Sequence, residues 1–111
     1  MTEIFNREAF LQRVAGDEEL LQELVEIFLE HAPRELTQIR ASLAAGDAPR
    51  LHGQAHSFKG AAASIGAEAL KEAAARVERA GKAGELNQVP PLLEAMGQEF
   101  TRLKQVLGRD G

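Results

Sequence analysis

The stretch Leu51-His52-Gly53-Gln54-Ala55-His56-Ser57-Phe58-Lys59-Gly60-Ala61-Ala62-Ala63-Ser64-Ile65-Gly66 decides the fold. Leu51, Ala55, Phe58, Ala62 and Ile65 recur at spacings of four and three, which makes them one buried stripe of an α-helix. At about 100° per residue the stripe centres roughly 150° around the helix from His56, so the imidazole points to solvent. His52, Gly53, Lys59, Gly60 and Ala63 share its side. A glycine within a helix costs about 1 kcal/mol relative to alanine, so a surface that needed only solubility would not carry Gly53 and Gly60. Something must approach closely there. An exposed imidazole keeps one nitrogen free to attack an electrophile, and Lys59, one turn on, can hold an anion delivered to it. These residues suit transfer of a phosphoryl group to His56.

Outward from this helix, every long segment reads with helical period and none alternates strictly, while tyrosine and tryptophan are absent. The chain is expected to be all-α. Asn6 caps a short helix carrying Phe10, Leu11 and Val14 that ends at Gly16. Asp17 opens a long one with the stripe Leu21, Val25, Phe28, Ala32, Leu36, Ile39 and Leu43, bent rather than ended by Pro33 because the stripe keeps phase across it. Gly46 closes that helix, and Asp47 caps the histidine helix, with Pro49 in its first turn and Gly66 at its end. A fourth helix carries Leu70, Ala73 or Ala74, and Val77 and finishes at Gly81. A fifth opens around Asn87 to Pro91 and shows Leu93, Met96, Phe100, Leu103 and Leu107. Four long helices with short connections predict an antiparallel up-and-down four-helix bundle, with the short additional N-terminal helix covering one end.

The length of 111 residues fits one domain over residues 1–111. No apolar run is long enough to span a bilayer and no signal-peptide pattern opens the chain, which points to the cytoplasm. Having no cysteine excludes disulfides, thiolate metal sites and cysteine nucleophiles. With a formal net charge of −4 and its basic residues dispersed among acids, the chain is not expected to bind nucleic acid. Nor does it carry a Gly-rich phosphate loop, a Walker motif or a kinase signature, so any phosphoryl group on His56 must come from elsewhere.

The run His56, Lys59, Gly60, Gly66, Leu70 and Val77-Glu78 resembles the histidine-containing phosphotransfer (HPt) domain of bacterial multistep phosphorelays, whose pattern is H-x-x-K-G, then G, L, and an apolar residue followed by E. The resemblance covers nearly the whole chain. Upstream it extends to Phe28-Leu29-Glu30-His31-Ala32-Pro33 and to Ala45-Gly46-Asp47. It implies a phosphocarrier rather than a turnover enzyme, with His56 phosphorylated and Lys59 neutralising phosphoryl oxygens. Gly60 would admit the partner, and Glu78 would accept the Nδ1 proton so that Nε2 is left to attack. The implied partners are response-regulator receiver domains and a hybrid sensor histidine kinase. No cofactor of its own is implied, Mg²⁺ being held by the receiver, and the chain is expected to act as a monomer.

Two other classes compete. His52 and His56 stand at i and i+4, as paired zinc ligands often do, although two imidazoles need further ligands and Lys59 repels a cation. A helical adaptor could also bind a receiver without accepting phosphate. His52 is otherwise expected to be a solvated neighbour and His31 a boundary residue without a catalytic role. Leu20, Leu24 and Ile27 widen the apolar band of the second helix to about 200°. One reading is that the first helix covers part of this band, the other that the remainder forms an apolar docking surface for a partner beside His56.

Overall fold

The computed structural model describes residues 2–108. Side-chain caps set where its first three helices begin. Asn6 opens α1 (Arg7–Arg13) by accepting the Ala9 N–H at 3.1 Å, and Asp17 opens α2 (Glu18–Ala44) by accepting that of Leu20 at 3.0 Å. Asp47 opens α3 (Ala48–Ser64) by accepting the Arg50 N–H at 3.1 Å, and Pro49 sits in the first turn, where its missing N–H is not needed. α4 spans Glu68–Lys82. A 3₁₀ turn at Leu86–Gln88 then leads into α5 (Val89–Val106). Pro33 lies inside α2, and the stripe Leu21, Val25, Phe28, Ala32, Leu36 and Ile39 is buried on both sides of it.

The helices α2 to α5 form an antiparallel up-and-down four-helix bundle, each packed on the next and α2 meeting α5 to close the ring. No strand occurs among the described residues, and no helix there is long and apolar enough to cross a membrane. Phe28 links three helices, meeting Phe58 edge-on at 5.8 Å and Phe100 at 6.3 Å between ring centroids. The N-terminal segment and α1 seat on the α3–α4 turn. There the Asn6 N–H donates to the Gly66 carbonyl at 2.8 Å, the Ala69 N–H donates to that of Glu3 at 2.9 Å, and Arg13 donates to that of Ala63 at 2.6 Å. Gly66 is required twice: its φ of +78° ends α3, and a Cβ there would lie 2.9 Å from the Asn6 carbonyl oxygen.

Two helix-level expectations change. Leu43 completes the α2 stripe only in part: it is half-buried against the core, and Ser42 takes the fully buried position, donating its hydroxyl to Gln54 Oε1 at 2.7 Å. The stripe steps by three instead of four in the last turn, which brings in a polar side chain with a partner waiting on α3. Gly81 does not end α4 either. The helix runs to Lys82, and Gly84, at φ +72°, ends it. Gly81 is buried, and a Cβ there would lie 2.8 Å from Leu51 Cδ2 and 3.2 Å from the His52 backbone nitrogen. Its missing side chain is what lets α4 lie against α3, the most extensive helix pairing in the bundle. Gly53, in contrast, has open space where a Cβ would stand.

Opposite stability effects are therefore expected from two helical glycines. Gly81→Val should lower stability in urea unfolding by roughly 1–3 kcal/mol through overpacking against α3. Gly53→Ala should raise it by up to about 1 kcal/mol from helix propensity alone. A Gly81→Val protein as stable as wild type would remove the glycine from the packing argument.

Candidate functional site

Burial of Leu51, Ala55, Phe58 and Ala62, all fully inaccessible, fixes the roll of α3 and leaves the His56 side chain 64% exposed on the opposite side. On α4, the buried Ala74, Val77 and Gly81 hold the inward stripe, which places Glu78 at the edge that borders α3. Three side chains meet there. Nδ1 of His56 donates to Glu78 Oε2 at 2.8 Å, and Nζ of Lys59 donates to Glu78 Oε1 at 2.6 Å. A carboxylate can only accept, so the contact puts the imidazole proton on Nδ1 and leaves the Nε2 lone pair bare and facing solvent.

The Glu78 side chain is only 14% exposed. Its carboxyl nevertheless titrates below the ordinary value of 4.5, because the hydrogen bond from Lys59 outweighs the upward push of burial. The hydrogen bond from His56 and the charges of both partners lower it further. Lys59 is thus engaged with Glu78 rather than standing free beside His56 to receive an anion. An ammonium has three donors, and one of them is used here.

His52 is not a solvated neighbour. Its ring is half-buried against α4, where Nδ1 donates to the main-chain carbonyl of Glu78 at 3.2 Å; the ring centroid lies 6.5 Å from that of His56. Both histidines therefore use Nδ1 on the same residue. Among the described residues no three His, Cys, Asp or Glu side chains gather as a metal site. The helical spacing placed His52 beside His56, but nothing in the sequence marked the main chain of α4 as its partner.

Around the imidazole the surface of α3 is bare. Nothing lies within 4 Å of where a Cβ would stand on Gly53 or Gly60. On the α2 side of this face an open apolar trough is lined by Leu24, Ile27, Phe28, Ala61 and Ile65, with His31 and Glu35 at its polar edge. Within it Ile27 is 52% exposed, and Leu20, outside its lining, is 38% exposed. His31 is exposed and takes no part in the His56–Lys59–Glu78 contacts.

No curated protein matches the chain. Among solved structures, the histidine-containing phosphotransfer protein B (HptB) from Pseudomonas aeruginosa PAO1 is similar, with 28% sequence identity and a TM-score of 0.87 over 96% of this chain and 92% of that one. The Hpt domain family matches residues 23–106, from within α2 to the end of α5 and through every side chain of the His56 cluster. A bare imidazole on α3 of an antiparallel bundle, a close structural likeness and a family match over most of the sequence agree: this chain belongs to the Hpt domain family.

Proposed function

We propose that His56 is a phosphoryl carrier that accepts its group from the aspartyl phosphate of one receiver domain and passes it to the aspartate of another. The observation that carries this reading is the Nδ1–Glu78 hydrogen bond at 2.8 Å, which commits one ring nitrogen and leaves the other as the nucleophile. The Nε2 lone pair attacks phosphorus in line. As the P–N bond forms, the P–O bond to the donor aspartate breaks and its electron pair stays on the departing carboxylate. The ring gains positive charge in this step, and Glu78 stabilises it through the Nδ1–H without taking the proton. Transfer onward is the same displacement reversed, with a second receiver's carboxylate as nucleophile.

Lys59 has two tasks in this scheme. It neutralises Glu78, whose charge would otherwise repel an incoming phosphoryl group, and its remaining donors reach toward the phosphoryl oxygens. Gly60 and Gly53 leave room for receiver loops, and the trough along α2 supplies apolar area for a receiver helix. The chain acts as a carrier in the cytoplasm, as a monomer, and takes its phosphate from a receiver, including one borne by a hybrid sensor histidine kinase.

His56→Gln should abolish acceptance of label from a phosphorylated receiver while changing stability by less than about 0.5 kcal/mol, since the side chain lies outside the core. Label persisting on another histidine in that variant would overturn the assignment.

Lys59→Ala should slow transfer more than it weakens receiver binding, and it should move the Glu78 titration back up, because the lysine is the largest cause of the lowered value. The sign for stability follows from the depressed pKa. The ion pair's contribution is complete above the unfolded value near 4.5 and is lost as pH falls through the lower folded value. Carboxyl NMR titration of both proteins checks this, and an unmoved Glu78 curve would contradict it.

Gly60→Gln should make the domain slightly more stable yet a poor phosphate exchanger. It gains a few tenths of a kcal/mol or more of helix propensity, and nothing in the fold opposes a side chain there. The added atoms would stand about 40° around the helix from His56, in the volume a receiver must enter. Exchange at the wild-type rate would show that the glycine is not there for access.

A further inference from the structure

The phosphocarrier role proposed above uses the Glu78 carboxylate but leaves His52 without a task. His52 is nonetheless held in a specific way. Its backbone nitrogen and Cα pass within 3.2 and 3.3 Å of the point where a Gly81 Cβ would stand, so the glycine notch in α4 brings this turn of α3 unusually close. That approach puts the ring over α4, where Nδ1 meets the Glu78 carbonyl oxygen at 3.2 Å. A carbonyl can only accept, so Nδ1 of His52 carries the proton. Glu78 is thereby gripped at both ends: its main chain by His52, its carboxylate by His56 and Lys59.

Resting on that phosphocarrier role, we infer that His52 is a positioning residue for it: by tying the Glu78 main chain to α3, it sets the carboxylate to receive the Nδ1–H of His56. The carboxylate hangs from its main chain by rotatable bonds, and its partners are open to water, His56 with 64% of its side chain exposed and Lys59 with 32%, so water competes for their donors. A main-chain tether removes the sliding of α4 along α3 that would turn the 2.8 Å contact into a water-bridged one. The two histidines, four residues apart, then read the same turn of α4 from one face of α3.

Nitrogen-15 NMR of the imidazoles tests this without any partner. In the wild-type protein His52 and His56 should both be protonated on Nδ1. A wild-type His52 carrying its neutral-state proton on Nε2 would end the proposal, since the bond to the carbonyl could not then exist. His52→Leu, which keeps bulk but has no donor, should redistribute the His56 tautomers and slow phosphoryl transfer by roughly tenfold, the low end of what losing an outer hydrogen-bonding partner costs a metal-bound histidine. His52→Asn should recover most of both readouts, because its amide nitrogen occupies the place of Nδ1. An unchanged His56 spectrum and rate in the leucine variant would overturn the proposal, and so would an asparagine variant as impaired as the leucine one, which would point to packing. A wild-type protein that accepts no phosphate would instead count against the carrier role, because the tautomer measurements stand apart from it.

Discussion

The complete burial of Phe58 between α2 and the rest of the core is the constraint on which the site depends. Its ring meets Phe28 edge-on, Phe28 meets Phe100, and with Leu51, Ala55 and Ala62 it fixes the rotation of α3 about its axis. A helix pinned in this way has no choice about its other side. Two positions before Phe58, His56 must stand in solvent, and one position after it, Lys59 must lie at the border with α4. The chemistry of the surface is set by the packing of the interior, at a position whose own side chain contributes little to that packing.

Charge explains why the cluster is stable as it stands. A carboxylate drawn mostly out of water is costly unless paired, and Glu78 is paired twice, with all of its partners outside the apolar core. The ion pair of Lys59 with Glu78 is formally neutral, so an anionic group approaching Nε2 meets no net repulsion from it. At the same time Glu78 keeps its negative charge close to the ring on which, in the proposed transfer, positive charge develops.

Much of the fold was legible because α3 and α2 carry clean periodicity and polar caps, and these are local properties of the chain. The errors came where a local signal has two meanings. A glycine near a helix end can stop the helix or let another helix in; at Gly81 the second meaning holds, and only the position of Leu51 and His52 decides it. At the end of α2 the apolar choice, Leu43, yielded to Ser42 because Gln54 on another helix satisfies the hydroxyl. For the site, the exposure of His56 followed from the stripe behind it, whereas Glu78 lies 22 positions away and came into view only through resemblance to a family. The engagement of Lys59 with Glu78 and the bond from His52 to a main-chain oxygen are tertiary facts, and no spacing along α3 encodes them.

All four of these side chains belong to one helical hairpin, α3 and α4, joined by a turn of three residues and packed more extensively than any other pair. That locality has a kinetic meaning. Contacts of short sequence separation cost little loop entropy to form, so the hairpin can acquire its alignment before the long-range closure of α2 on α5 is complete. It also sets which fluctuations matter. Fraying at the end of α5 or lifting of α1 opens parts of the molecule remote from Glu78, while separation of α3 from α4 breaks the whole cluster at once. The lifetime of the reactive geometry is therefore tied to that of the most closely packed pair of helices, and the outer elements of the bundle are free to breathe at little expense to it.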